Sequence, residues 1–455
     1  MNFKEKQKFI LEGSMPKVIL ALATPIMFNN LIQTLYNLAD TYWVSKLGTT
    51  SMAAITLVFP VVFLTLSVGM GINVAGTALI SQYIGSNREN DGKRIASQMV
   101  SFALILSLFL SIIGYFSTPF IIRAMGGEGG VFTQSTEYLS LMFWEMPGMF
   151  LILVYTAIKQ AQGDTFTPMI LNVAGVVLNI ILDPIFILVL GLGIKGAAIA
   201  TVFSRTIFAI YAIYTLFSNK NGIYLEKSNL KLDKKTLREI INISLPASLG
   251  QSAAALGFII LNSVVISYGE NTLAAFGVGN RINSLILMPA QGIGSSLATI
   301  IGQNLGAYKK DRAKLAFNTS IKLTTSFMIL GGITIFMLSQ NIVSIFVQND
   351  PDVFNQATNY LRLISLSLPL MGFFQVFVGT FQGSGHTIYA MIMNMGRLWA
   401  LRLPMIIIFK KYTSWGSSGV WYAMVLSNLF ICVFGLTVYL SGKWQKQVIK
   451  AKTAA

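Results

Sequence analysis

The sequence predicts an all-α membrane protein of twelve spanning helices, folded as two parallel-repeat six-helix bundles. Three observations carry this expectation: composition, the length of the apolar runs and an internal repeat. Of the 455 residues, 54% are hydrophobic and only 11% are charged, a balance far more apolar than that of a water-soluble domain. Inside lipid only helices or closed barrels satisfy every backbone polar group, and a spanning helix needs about 20 mostly apolar residues. The apolar runs are long and continuous and lack the apolar/polar alternation over roughly ten residues that marks a barrel strand.

The expected spans are residues 17–45, 52–80, 94–118, 133–158, 167–190 and 195–217, then 239–268, 272–303, 315–339, 354–380, 387–409 and 417–441. Lys4, Lys6, Lys8 and Lys17 precede the first of them. Its apolar stretch is too long for a signal peptide and carries no small-residue cleavage site, so it is expected to remain as a span. The sole cysteine, Cys432, falls inside the last span, which excludes an intrachain disulfide and a thiolate metal cluster.

A net charge of +16 raises nucleic-acid binding as a reading, and the distribution of the charge decides against it. Lys and Arg gather at the termini and in the even-numbered connections: Arg88, Lys93 and Arg94; Lys220 to Arg238; Lys309, Lys310, Arg312 and Lys314; and Lys443 to Lys452. The odd-numbered connections hold only Lys46, Arg123, Lys195, Lys410 and Lys411. This positive-inside pattern places both termini in the cytoplasm of a multi-pass protein of the plasma (inner) membrane. The basic excess then reports topology and contact with anionic lipid.

Sliding the chain on itself by 221 residues superimposes Pro25 on Pro246, Gly48 on Gly269, Gly71 on Gly292, Gln82 on Gln303 and Gly85 on Gly306. At 222 residues Tyr138 meets Tyr360, Pro147 meets Pro369, Gln160 meets Gln382, Gly163 meets Gly385 and Asn172 meets Asn394. At 223, Gly193, Gly196 and Ser204 meet Gly416, Gly419 and Ser427. An even number of spans per half gives both halves the same orientation, as repeats about an axis along the membrane normal. The expected division is a first lobe over residues 1–217, a charged cytoplasmic connector over 218–238 and a second lobe over 239–455.

Charge within hydrocarbon is costly, so each intramembrane ionisable group is a functional candidate. Asn172, Asn179 and Asp183 fall at i, i+7 and i+11 and line one helical face of the fifth span. Pro184 has no amide hydrogen, which frees the carbonyl of Ile180. Amide, carboxylate and backbone oxygens of this kind suit a small hard cation, and the carboxylate alone suits a proton. The first span repeats the idea with Gln33, Asn37 and Asp40 on one face and Tyr36 one turn before Asp40. The competing reading pairs these acids with Arg205, Arg397 or Arg402 to fix packing. Glu145, just before Pro147, suits a functional acid and an interfacial residue equally. Arg281 has Pro60 at its repeat position and is read as a packing residue, and His386 as a turn residue. Most of the prolines and glycines within the spans are read as kinks and close packing.

The chain has no Gly-x-x-x-x-Gly-Lys-[Ser/Thr] loop, no His-Glu-x-x-His and no Gly-x-Ser-x-Gly. ATP therefore does not drive it directly, and no enzyme constellation is visible.

Several segments taken in order resemble the multidrug and toxic compound extrusion (MATE) family. They are Glu12-Gly13-Ser14-Met15-Pro16-Lys17, Pro25, Asn37-Leu38-Ala39-Asp40-Thr41 and Gly48. They continue with Gln160-Ala161-Gln162-Gly163-Asp164-Thr165, Asn179 with Asp183-Pro184, and Gly193-x-x-Gly196-Ala197-Ala198-x-Ala200-Thr201. The resemblance covers nearly the whole chain. It implies a V-shaped pair of six-helix lobes that exports amphipathic or cationic organic compounds in exchange for H+ or Na+, with no cofactor. In the prokaryotic branch that looks closest, the coupling site lies in the N-terminal lobe and carries over onto Asp40, Asn179, Asp183 and Thr201. Tyr36, Asn37 and Asn172 stand as supporting residues. Acids used by other branches in spans 7 and 10 are absent here, where Gln251, Asn262 and Gln375 are found. The expected partners are small organic substrates and the lipid bilayer, with a monomer as the unit. The runner-up is a lipid-linked oligosaccharide flippase of the same superfamily, for which Arg205, Arg281, Arg397 and Arg402 would supply a cationic cavity.

Overall fold

The computed structural model describes residues 1–218, 221–348 and 350–449. The basic positions Lys220, Lys450 and Lys452, and residues 219–220 of the expected connector, lie outside them. A short helix that hydropathy does not signal, α1 (Phe3–Glu12), comes first. It is set by a capping box in which Asn2 and Glu5 satisfy each other's backbone amides. The spans of the first half follow as α2 (Met15–Ser45), α3 (Thr49–Gly85), α4 (Glu89–Ala124), α5 (Gly129–Ala161), α6 (Phe166–Pro184) and α7 (Gly193–Ser218). Those of the second half are α8 (Lys234–Ile266), α9 (Glu270–Gly306), α10 (Lys310–Phe346) and α11 (Pro351–Gly383), then α12 (Thr387–Met395) continuing into α13 (Leu403–Tyr412), and α14 (Ser418–Leu440).

Among the described residues twelve helical stretches are long and apolar enough to cross a membrane, matching the twelve spans read from the sequence. Most run several residues past the apolar windows, because a helix continues into the interface as long as its backbone finds partners. α8 starts five residues before the expected 239. Asp233 caps it by accepting from the Thr236 amide at 2.9 Å. The segment between the halves is less solvated than its charge suggests: Ile223 and Leu225 are buried against the first half, and Gln162 bonds both the amide and the carbonyl of Ile223. Two spans contain π-turns. One, Ile185–Val189, directly follows Pro184; the other, Gly396–Arg402, joins α12 to α13. In each the ladder shifts register by one residue, which widens the helix beside polar side chains.

The first helix of each half crosses to the other half. Val18, Ile19, Leu22 and Ala23 of α2 share a buried cluster with Ile293, Leu297, Ile300 and Ile301 of α9, while α2 also lies along α6. α8 packs in the same way along α3. The seam closes at the end that carries the basic residues. There a side chain at Gly85 would meet the Gln303 carbonyl, and one at Gly306 the Gln82 carbonyl, so both helices approach backbone to backbone. Hydrogen bonds across the halves gather at this end: Gln82 to the Ser384 carbonyl (3.1 Å), Gln303 to the Ala161 carbonyl (2.8 Å) and Thr299 to the Gln160 carbonyl (2.9 Å). Asp233 also holds Arg94 at 2.7 Å.

Candidate cation site

The polar residues of the first half converge where α2, α5, α6 and α7 meet. α6 is apolar except for one stripe, and packing its apolar faces on α2 and α7 turns that stripe inward. Asn179 and Asp183 are consequently buried, Asp183 completely. The Asn179 amide, turned so that both its ends are satisfied, donates to Asp183 Oδ2 at 3.1 Å and accepts from the Thr201 amide at 3.2 Å. The Thr201 hydroxyl donates to the Ala197 carbonyl one turn back, at 3.1 Å, which leaves its lone pairs free to face the site. Tyr36 reaches across from α2 to the Thr201 side chain. Asp40, one turn further along α2, is half-buried and lies within electrostatic reach of Glu145, Tyr138 and Asp183.

Asp183 Oδ1 is buried without a hydrogen-bond partner. A buried, unpaired carboxylate oxygen is costly, and a proton or a small cation would remove that cost. The arginine reading fails for the two aspartates. Arg205 Nε pairs with Glu145 Oε1 at 3.2 Å, and among the described residues neither Asp40 nor Asp183 forms a salt bridge. Glu145 is accordingly a buried, neutralised acid and not an interfacial one. Beside the site is a small pocket of about 20 Å³, lined by Gln33, Tyr36, Asn172, Asn179, Ser204 and Arg205 among others.

The structure thus brings together Asp40, Asn179, Asp183, Thr201 and Tyr36, with Asn172 on the adjoining wall. Asn37 is exposed and accepts from Gln33 at 3.5 Å. Sequence reasoning did not assign Tyr138 to the site, although its match to Tyr360 in the repeat singled it out, and it did not foresee that Glu145 would take up Arg205. Among the described residues no three His, Cys, Asp or Glu side chains form a metal-binding group. The donor set is one of mixed carboxylate, amide and hydroxyl oxygens, which suits a hard cation.

The MatE family model matches this chain twice, over residues 25–185 and 246–408. The chain belongs to the MatE family. The starts of the two matched segments are 221 residues apart and their ends 223, the offsets at which the sequence matches itself. Similar relatives include the probable multidrug resistance protein YoeA of Bacillus subtilis, 30% identical with 93% of each chain covered. Another is the probable multidrug resistance protein NorM of Thermotoga maritima, 26% identical with 99% of this chain and 98% of the relative covered. A solved outward-facing multidrug resistance MATE transporter of the MOP superfamily superimposes with a TM-score of 0.88 at 28% identity, covering 95% of this chain and 96% of that one. This MATE protein is therefore a multi-pass membrane efflux transporter and not an enzyme.

Proposed function

We propose that this transporter exports amphipathic and cationic organic compounds in exchange for Na+ or H+ bound at Asp40, Asn179, Asp183 and Thr201 in its first half. The observation that carries the reading is the buried Asp183 oxygen without a partner, with a second unpaired acid, Asp40, beside it. Folding alone does not require two uncompensated acids in a membrane-embedded bundle. The multidrug names of the relatives support the cargo class.

In this scheme residues 1–217 and 239–455 are the two moving lobes, joined by residues 218–238. The scheme sets the basic, closed end towards the cytoplasm, following the positive-inside pattern, with the cation site reached from the outside. Asn179 holds Asp183 in place, Arg205 removes Glu145 from the charge balance, and Asp40 and Asp183 are left to take up the incoming cation. Cation entry then ties to drug release because loaded and empty forms prefer different arrangements of the lobes. By reciprocity, raising the outside cation concentration lowers drug affinity by the factor with which drug lowers cation affinity. One chain holds the whole site, so a monomer suffices.

The test is efflux of a cationic dye from vesicles under separately imposed sodium and proton gradients. Asp183→Asn is expected to insert normally and to lose gradient-driven export to the background of empty vesicles. Export at the wild-type rate in that variant would remove the site from the mechanism.

A further inference from the structure

We propose that the second half carries an oxyanion site built on Arg397 and Arg402, which takes the phosphate or carboxylate group of an amphipathic molecule. Both arginines sit on the π-turn Gly396–Arg402, Arg397 against Phe374 of α11 and Arg402 against Ser427 and Asn428 of α14. Arg402 donates from Nε to Ser427 Oγ at 3.1 Å and from Nη2 to Asn428 Oδ1 at 3.0 Å. The Arg397 guanidinium lies over the Phe374 ring, 4.1 Å from its centroid, and its Nε is buried without a hydrogen-bond partner. The two arginines are five residues apart on this one turn.

No carboxylate balances them. Neither arginine is in a salt bridge among the described residues. The acids of the second half, Glu239, Glu270, Asp311, Asp350 and Asp352, all stand in or beside the first turns of helices. An unbalanced charge pair held within a bundle by neutral partners alone is costly. A guanidinium has five donors in a fixed fork. Arg402 uses two of them on protein, and Arg397 makes no hydrogen bond to protein among the described residues, so several donors remain for a ligand. Planar forks of this kind match phosphate and carboxylate oxygens.

The repeat explains the place. At the offset of 223, Arg402 stands where Asn179 stands in the first half, Ser427 where Ser204 stands and Asn428 where Arg205 stands; at 222, Tyr360 matches Tyr138. One location in the duplicated frame therefore holds Asn179 and Arg205 in the first half and Arg402 and Asn428 in the second.

The test is binding to the purified full chain in uncharged detergent, measured by equilibrium dialysis with 1-naphthyl phosphate and with 1-naphthol. It needs no ion gradient, so it is independent of the coupling reading, and Asp183→Asn should bind the phosphate as the wild type does. Wild type is expected to bind the phosphate at least about tenfold more tightly than the alcohol. R397Q and R402Q should each weaken phosphate binding about tenfold and leave naphthol binding unchanged, while R402K, which keeps the charge, retains part of it. Repeating the measurement in nanodiscs with and without phosphatidylglycerol separates the sources. Displacement of the probe identifies a lipid headgroup as the occupant of the site, and persistence identifies a soluble organic anion. Equal binding of phosphate and alcohol by the wild type would overturn the site without reference to any variant. So would wild-type phosphate affinity in the double variant R397Q/R402Q.

Discussion

The two halves of the chain agree along their seam and disagree in their interiors. At the seam the pairs are reciprocal: Gly85 faces the Gln303 carbonyl as Gly306 faces that of Gln82, and each glutamine donates across to the opposite half. Even the terminal segments follow the rule. Gln7 of α1 donates to the Ile84 carbonyl at the end of α3, and Gln447 near the C-terminus donates to the matching Leu305 carbonyl at the end of α9. Inside, the first half buries Asp183 beside Asn179 and Thr201, whereas the second places Arg402 and Asn428 at the positions equivalent to Asn179 and Arg205. A seam formed by two copies of one surface constrains both copies at once, because a change in either meets the backbone of the other. An interior faces only its own half and is free to change which of its positions carry charge.

The comparison breaks most visibly at the seam. Gly85→Leu and Gly306→Leu each drive a side chain into a carbonyl of the opposite helix, where overpacking costs about 1–3 kcal/mol. Either should shift the closed basic end towards opening by roughly tenfold or more. Ser81→Cys, at a position fully buried beside Gly302, should then label with a membrane-impermeant thiol reagent in a Cys432→Ser background. Labelling in one variant and not in the other would show that the seam is not reciprocal.

A smaller effect separates the interiors. Thr201→Ala and Asn179→Ala should raise the cation concentration needed for half-maximal export by about five- to tenfold, the scale of one or two lost ligand contacts. Met424→Ala, at the repeat position of Thr201, should leave that concentration unchanged even if it lowers stability. A shift of equal size in both halves would deny the first half its special role.

The smallest effect concerns the starts of the two crossing helices. Burial alone would raise the Asp233 pKa, but the Thr236 amide and hydroxyl, the Gln98 amide and the Arg94 guanidinium together hold its carboxyl well below the usual range. A depressed carboxyl contributes stability above its unfolded pKa of about 4, and that contribution is lost as pH falls towards the folded value. Asp233→Ala should cost about 1 kcal/mol at pH 7 and progressively less below pH 4, measured by thermal unfolding in detergent. Ser14, which precedes α2, makes no side-chain cap bond, so Ser14→Ala should change little at any pH. A pH-independent cost at Asp233 would count against the linkage.

Much of this was legible in residues. Hydropathy located all twelve spans, and the match of Pro25 to Pro246 and of Gly71 to Gly292 exposed the duplication. The stripe Asn172, Asn179 and Asp183 named the polar face of α6. Other features left no pattern to read. α1 is too short and polar for a hydropathy window, and Trp444, fully buried near the C-terminus, looks in sequence like part of a basic tail.

By itself the sequence determined the membrane class, the twelve helices, the repeat and the identity of the intramembrane acids, because these follow from local apolarity, periodicity and the cost of charge in lipid. Only the tertiary structure decided which charges meet. It turned Glu145 to Arg205, left Asp183 Oδ1 without a partner, and set Arg397 against Phe374 with no acid in reach. Each of these pairings depends on how separate helices rotate and cross, and the packing of whole faces settles that beyond the reach of spacing along one chain.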